Sequence, residues 1–430
     1  MLRAAACLAL APTLTLPRLA AQTVTLPVRV RAGAVERQGS PAVASFAWPD
    51  ELVDALAACE TDLPVPWTAS LTQQDGHHVA CEVLGVPTSE GSPAHGELRF
   101  VVESMPADSE RAYRLQLGAQ RGEQGSQQGS QQGGTFSTDL DGDARELRRG
   151  DTPLLRHEFA FDRDDFERTS KPIWHLYVPG TDVLLTKGVG GEYSHHRGLF
   201  LGWNKTTVGE HRFDFWHCPT AGLRHTGYDL RREVQSAVRG EVSTGTHWIS
   251  PLDEPIVRDR RRLTFWRSAA MAGDGGAEPR TLLDVAVELS ADQLVALRGD
   301  PQHAGFQIRI ADEVAQRKDA RYVRPASAKG GENDVWTDCP WVAGLFRVQD
   351  HDVAVLHMSH PSNPTPMSYS TRDYGRFGSF FEADIAPDTP LTLRYRLLIL
   401  SLGKESDVSV ERFARVYADY VQPLAVSVGD

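Results

Sequence analysis

The residues best equipped for chemistry lie in one stretch. Ser194-His195-His196-Arg197-Gly198-Leu199-Phe200-Leu201-Gly202-Trp203-Asn204-Lys205 is followed by Asp214-Phe215-Trp216-His217 and then by His225. Counting His211, five of the chain's fifteen histidines fall here. Histidine exchanges protons near neutral pH and is the commonest metal ligand, so clustering favours function over packing. His195, His196, His217 and, further on, His303 are the candidate proton-transfer groups, with Arg197 to stabilise negative charge. Trp203 and Trp216 are expected to offer stacking faces to a ring, and Asn204, Asp214 and His225 to supply polar contacts.

Two later segments add candidates. His303, Gln307 and Arg309 share parity, so a strand through them would put an acid/base group, an amide and a fixed cation on one face. Beyond it, the polar loop His357-Met358-Ser359-His360-Pro361-Ser362-Asn363-Pro364 precedes Arg372, Asp373, Tyr374 and Gly375. His360, Arg372 and Tyr374 could meet sugar hydroxyls or a carboxylate. No spacing resembles His-Glu-x-x-His. A metal held by His195 or His196 with His217 and His225 therefore stays the alternative reading, and no cofactor is expected. The first reading is a carbohydrate-active enzyme of lyase, hydrolase or epimerase type that uses histidine acid/base chemistry with arginine charge stabilisation, and a non-catalytic carbohydrate-binding protein is the other alternative.

These groups must be held by strands. Leu391, Leu393, Tyr395 and Leu397 alternate with Thr392, Arg394 and Arg396, the period-two signature of a half-buried strand. Leu283 to Leu289 and Phe306 to Ile310 repeat the pattern. If Leu199 to Trp203 is a strand, Leu199, Leu201 and Trp203 share a face, and Gly198 lets the chain turn just before it. Asp214 and His217 cannot both point inward unless the chain bends between them. Helical spacing is convincing only in Val408 to Tyr420, where Val410, Phe413, Val416 and Tyr417 form an apolar stripe. A short helix is expected at Pro49 to Ala58, with Asp50 at its start.

The chain therefore reads as mostly β: a small N-terminal β-sandwich, then a large antiparallel sandwich or supersandwich with a C-terminal helix. Residues 1–21, with Arg3, an apolar run and small residues at Ala20 and Ala21, read as a secretory signal peptide, hence a secreted or periplasmic protein. Residues 22–117 form the small sandwich and 118–150 a flexible Gly/Gln/Ser linker and lead-in. Residues 151–430 carry the site. Cys59 with Cys81 and Cys218 with Cys339 are the pairings that respect these boundaries, with four free thiols the other possibility.

A net charge of −12 and the lack of a long basic run argue against a nucleic-acid surface. No apolar stretch after the leader is long enough to span a membrane. A carbohydrate or another small molecule is the expected partner.

The motifs also resemble a known family. His-His-Arg-Gly-Leu-Phe with Gly-Trp-Asn-Lys, Asp-Phe-Trp-His, His-Ala-Gly-Phe-Gln and Arg-Asp-Tyr-Gly-Arg-Phe-Gly, in this order between Leu154 and Leu400, resemble the soluble PmoA-like family. The resemblance implies a secreted bacterial β domain that handles carbohydrate, and it does not reach the N-terminal region.

Overall fold

The alternating sequences do form strands, and the strands pair antiparallel throughout. The computed structural model describes residues 23–57, 67–85, 95–119, 135–219, 222–267, 278–331 and 334–429. The expected signal segment and Cys59 lie outside them.

A ten-stranded and an eight-stranded sheet dominate the chain. Side by side in the first run Met367–Arg372, Arg376–Phe381, Ala304–Arg309, Leu199–Trp203 and Ile173–Leu176. Centred in the second are Arg280–Ser290, Leu391–Ser401 and His351–Ser359. Their facing sides share one apolar core, with Leu199, Leu201, Phe306, Ile308 and Phe377 against Leu283, Val285, Leu397 and Ile399. The outer side of the eight-stranded sheet is covered by the helix Val410–Val421, whose Phe413, Val416 and Tyr417 pack on Leu356, Met358 and Leu398. Ser409 caps that helix, its hydroxyl accepting from the Arg412 N–H at 3.2 Å.

The N-terminal strands make a smaller sandwich of a five-stranded and a three-stranded sheet around Val28, Val30, Phe100, Leu115 and Leu117. The helix expected at Pro49 to Ala58 is observed at Asp50–Ala57.

Two features depart from the sequence reading. The last strand, Ala425–Val428, returns to pair with Thr23–Arg31, so the N-terminal sandwich includes chain from beyond residue 151. An open sheet edge is a liability, and this short segment covers it. Second, the expected linker and lead-in, 118–150, is mostly strand where it is described: Gly118 and Ala119 end the strand Glu110–Ala119, and Phe136–Asp141 with Ala144–Arg149, joined by a turn, form the edge of the ten-stranded sheet. Residues 120–134 lie outside the described residues. Of the two cysteine readings, the structure agrees with free thiols: Cys81, Cys218 and Cys339 are unpaired, the last two buried and each near a backbone carbonyl, Phe215 O and Trp341 O.

Candidate active site

The site occupies the outer face of the ten-stranded sheet. Residues opposite one another in an antiparallel ladder point to the same side. Here Phe200 lies opposite Gln307, Gln307 opposite Gly378, and Arg309 opposite Arg376. Leu199, Leu201 and Trp203 therefore face the core, while Phe200, Gln307, Arg309 and Arg376 face away from it.

Two glycines bring loops onto this face. Gly198 has φ +54, and a Cβ there would stand 2.4 Å from the Trp174 carbonyl oxygen, so only glycine makes this entry into the strand without strain. It is fixed by Gly198 N–H to Lys187 O at 2.9 Å and Arg309 N–H to Gly198 O at 3.0 Å. At Gly202 a Cβ would stand 2.5 Å from Phe215 O, so the missing side chain lets the segment after Phe213 lie across the strand.

That second segment bends where the sequence required a bend. After the strand His211–Phe213, Asp214 Oδ1 accepts from the N–H groups of Trp216 (3.1 Å) and His217 (2.9 Å), closing a tight turn. Its Oδ2 accepts from His217 Nδ1 at 2.8 Å. A second turn repeats the device. Asp300 Oδ1 accepts from the Gln302 N–H at 3.0 Å and from His303 Nδ1 at 3.0 Å, while Asn204 Nδ2 donates to Asp300 Oδ2 at 3.1 Å. Because an ionised carboxylate only accepts, each histidine carries its proton on Nδ1 and leaves Nε2 as a base.

The two pairs meet. The rings of His217 and His303 stand 5.0 Å apart, His195 is 4.5 Å from His217, and His196 is 4.1 Å from His195. The row continues from His196 to Tyr374 at 6.3 Å, with Tyr193 4.7 Å from Tyr374 and the Arg309 guanidinium 4.8 Å over its ring.

Electrostatics divides the row. Burial raises the Asp214 carboxyl, but the hydrogen bonds from His217 outweigh it, and the group ends below its ordinary value. Asp300 ends low in the same way, with burial outweighed chiefly by His303 and Asn204. Burial lowers His303. His195 is pushed down to about 3 by burial and by its neighbours His217 and Lys171. It is thus a neutral imidazole at neutral pH. His196, 2% exposed, is also held well below its ordinary value, by burial and by His195 and Arg376.

Residues 144–415 match the family described as "Family of unknown function (DUF6807)". The match covers well over half of the chain. The chain belongs to this family. It spans every residue of the site, and also the stretch from Leu154 to Leu400 on which the PmoA-like resemblance rests. Among solved structures, an alpha-mannosidase from Enterococcus faecalis V583 is similar over 94% of this chain and 46% of its own, with 8% identity and a TM-score of 0.48. A glycosyl hydrolase family 38 protein from Enterococcus faecalis is similar over 94% and 47%, with 10% identity and a TM-score of 0.45. The chain thus spans about half the length of both. No curated protein matches it in sequence.

Within the family's span, several expected site residues have other roles. Arg197 donates to Ser194 O (2.6 Å), Arg168 O (2.9 Å) and Glu167 O, so its guanidinium anchors the histidine loop. Trp203 is in the core, its Nε1 donating to Phe381 O at 3.1 Å. Trp216 is covered by Phe200 and His196. Neither tryptophan offers a stacking face. His225 is 2% exposed, lies against Trp248 and reaches Phe215 O at 2.9 Å, away from His217. His360 packs by Tyr420 of the C-terminal helix, and Arg372 Nη1 donates to Thr371 O. Asn204 serves by orienting Asp300. Among the described residues no group of three or more His, Cys, Asp or Glu is placed to hold a metal ion. No described helix is long and apolar enough to cross a membrane.

The sequence reading also missed residues. Asp300 has a signal, since Asp300-Pro301-Gln302-His303 repeats the Asp-x-x-His spacing of Asp214 to His217. Lys171, whose Nζ donates to Trp216 O at 2.5 Å and His195 O at 3.2 Å, ties both loops together. Burial lowers it to about 8. Tyr193, at φ +56 and 44% exposed, is the open aromatic face at the rim. Arg376 lies inside a motif already noted, where nothing marked it as buried.

Proposed function

We propose that this protein is a carbohydrate-active enzyme in which His217 and His303 exchange protons with a bound sugar. The observation that carries the reading is the pair of carboxylate-oriented histidines whose ring centres lie 5.0 Å apart. One Nε2 takes a proton from the substrate while the other, protonated, returns or delivers one. Neutral His195 lies between them and the inner part of the site as a hydrogen-bonding group. Both nearby carboxylates hold histidines and stay ionised, so the pattern of a two-carboxylate glycosidase does not fit. Among lyase, hydrolase and epimerase chemistry, two adjacent histidine bases suit proton abstraction and return, the work of a lyase or an epimerase. The exposed ring of Tyr193 beside Tyr374 supplies the stacking surface for a sugar.

Incubating the protein in D2O with a panel of mono- and oligosaccharides, and following substrate C–H signals by NMR, tests this. Wild type should exchange or convert at least one sugar, and His217→Gln or His303→Gln should stop it without lowering the melting temperature. Sugar binding with neither exchange nor conversion across the panel would make the protein a binding module.

A further inference from the structure

The inner end of the site carries more positive charge than the protein neutralises. Arg309 and Arg376 sit directly opposite each other across two hydrogen-bonded strands, and both are at most 1% exposed. Like charges so placed repel, and burial denies them the screening of water. Their hydrogen-bond partners are mostly neutral. Arg376 donates to Gln307 Oε1, to Ser370 Oγ at 3.2 Å and to the Tyr374 hydroxyl at 3.4 Å. Arg309 has a single long contact to a carboxylate, Nη2 to Asp312 Oδ1 at 3.4 Å, and Asp312 is itself partly exposed. Lys187 stands by the same carboxylate.

Unpartnered polar atoms gather at the same place. The donors Arg309 Nε and Nη1 and Trp216 Nε1, together with His195 Nε2 and both ring nitrogens of neutral His196, of which one donates and one accepts, are buried with no hydrogen-bond partner among the described residues. Each such group costs free energy comparable to a lost hydrogen bond, more when charged. A buried set of donors and cations with too few acceptors is complementary to an oxyanion.

We infer that the substrate is a sugar acid, its carboxylate bound at Arg309 and Arg376 beneath Tyr374 and His196, with the sugar ring extending towards His217 and His303. The inference rests on the acid/base reading for the position of the ring. A carboxylate suits this position chemically, since it acidifies the proton on its neighbouring carbon, which a histidine base can then remove and return.

The test is equilibrium binding by the full chain to matched pairs, D-glucuronate with D-glucose and D-galacturonate with D-galactose, with D-glucose 6-phosphate as a further anion. Wild type should bind at least one acid ten times or more tighter than its neutral partner. Arg309→Gln should erase that preference and Arg309→Lys should keep part of it. Gln307→Glu serves as a second variant: it puts a carboxylate next to Arg376 while giving up the amide bonds to Ala304 O (2.8 Å) and Pro301 O (3.3 Å), and its folded fraction should bind the acid no better than the neutral sugar. No preference for acid over neutral sugar, a preference confined to the phosphate, or an undiminished acid preference in folded Gln307→Glu would each overturn the inference. Exchange or conversion of a neutral sugar that depends on His217 would leave the acid/base reading standing without it. Acid binding through Arg309 with no proton exchange would do the reverse.

Discussion

The two faces of the central strands are buried alike yet built differently. On Ala304–Arg309 every residue is buried. Inward, Phe306 and Ile308 join the core, where His357 is held by the Tyr369 hydroxyl at 2.9 Å. Outward, Gln307 and Arg309 meet Arg376, His196 and the two Asp–His pairs. A histidine used for packing has a neutral partner and a covered ring, as His225 and His357 do. Those placed for chemistry, His217 and His303, have a carboxylate on one nitrogen and are about one-third exposed. Partner type and exposure, not burial of the strand, separate the two groups.

The largest expected effect is on the inward group. Burial pushes His225 and His357 down to about 3, so the folded chain refuses protons that the unfolded chain accepts below its ordinary value near 6.5. Stability is then full above about pH 6.5 and falls as pH drops towards 3, by up to about 1.4 kcal/mol per pH unit for each buried histidine. Chemical unfolding across that range measures it, and a flat profile would remove the distinction. Next in size, His225→Ala should cost about 2–4 kcal/mol of stability by leaving a cavity against Trp248 and an unpaired Phe215 carbonyl. Thermal or urea unfolding reads this directly.

Smaller effects concern the outward group. Asn204→Ala frees Asp300, and a misdirected His303 should slow turnover by about tenfold to a hundredfold with stability changed by about 1 kcal/mol. Steady-state kinetics and unfolding on one preparation check both parts. His360→Ala should change neither property measurably, since its ring lies by Tyr420 and not at the site.

Much of this arrangement was legible in the sequence. Period-two runs such as Leu283 to Leu289 gave the strands, Gly198 marked the entry of the histidine loop, and the helix stripe of Phe413, Val416 and Tyr417 is where expected. Parity also placed Leu199, Leu201 and Trp203 on one face, but in a strand buried on both sides it could not tell which face was the core. Trp203 was therefore read as a ligand platform when it is packing. The Asp300–His303 pair was visible as a repeat of Asp214–His217, yet its meaning depends on two distant turns meeting, which the sequence does not encode locally. Ala425–Val428 is too short to reveal that it belongs to the opposite end of the chain.

The central claim is that His217 and His303 act together while His225 only packs. Its most direct test is to measure turnover and unfolding together for His217→Gln, His303→Gln and His225→Gln, once a convertible sugar is found. The first two should lose about a hundredfold to ten-thousandfold in rate with stability kept within about 1 kcal/mol, and the third should lose stability while its folded fraction turns over normally. Unchanged turnover in folded His217→Gln and His303→Gln would contradict the account.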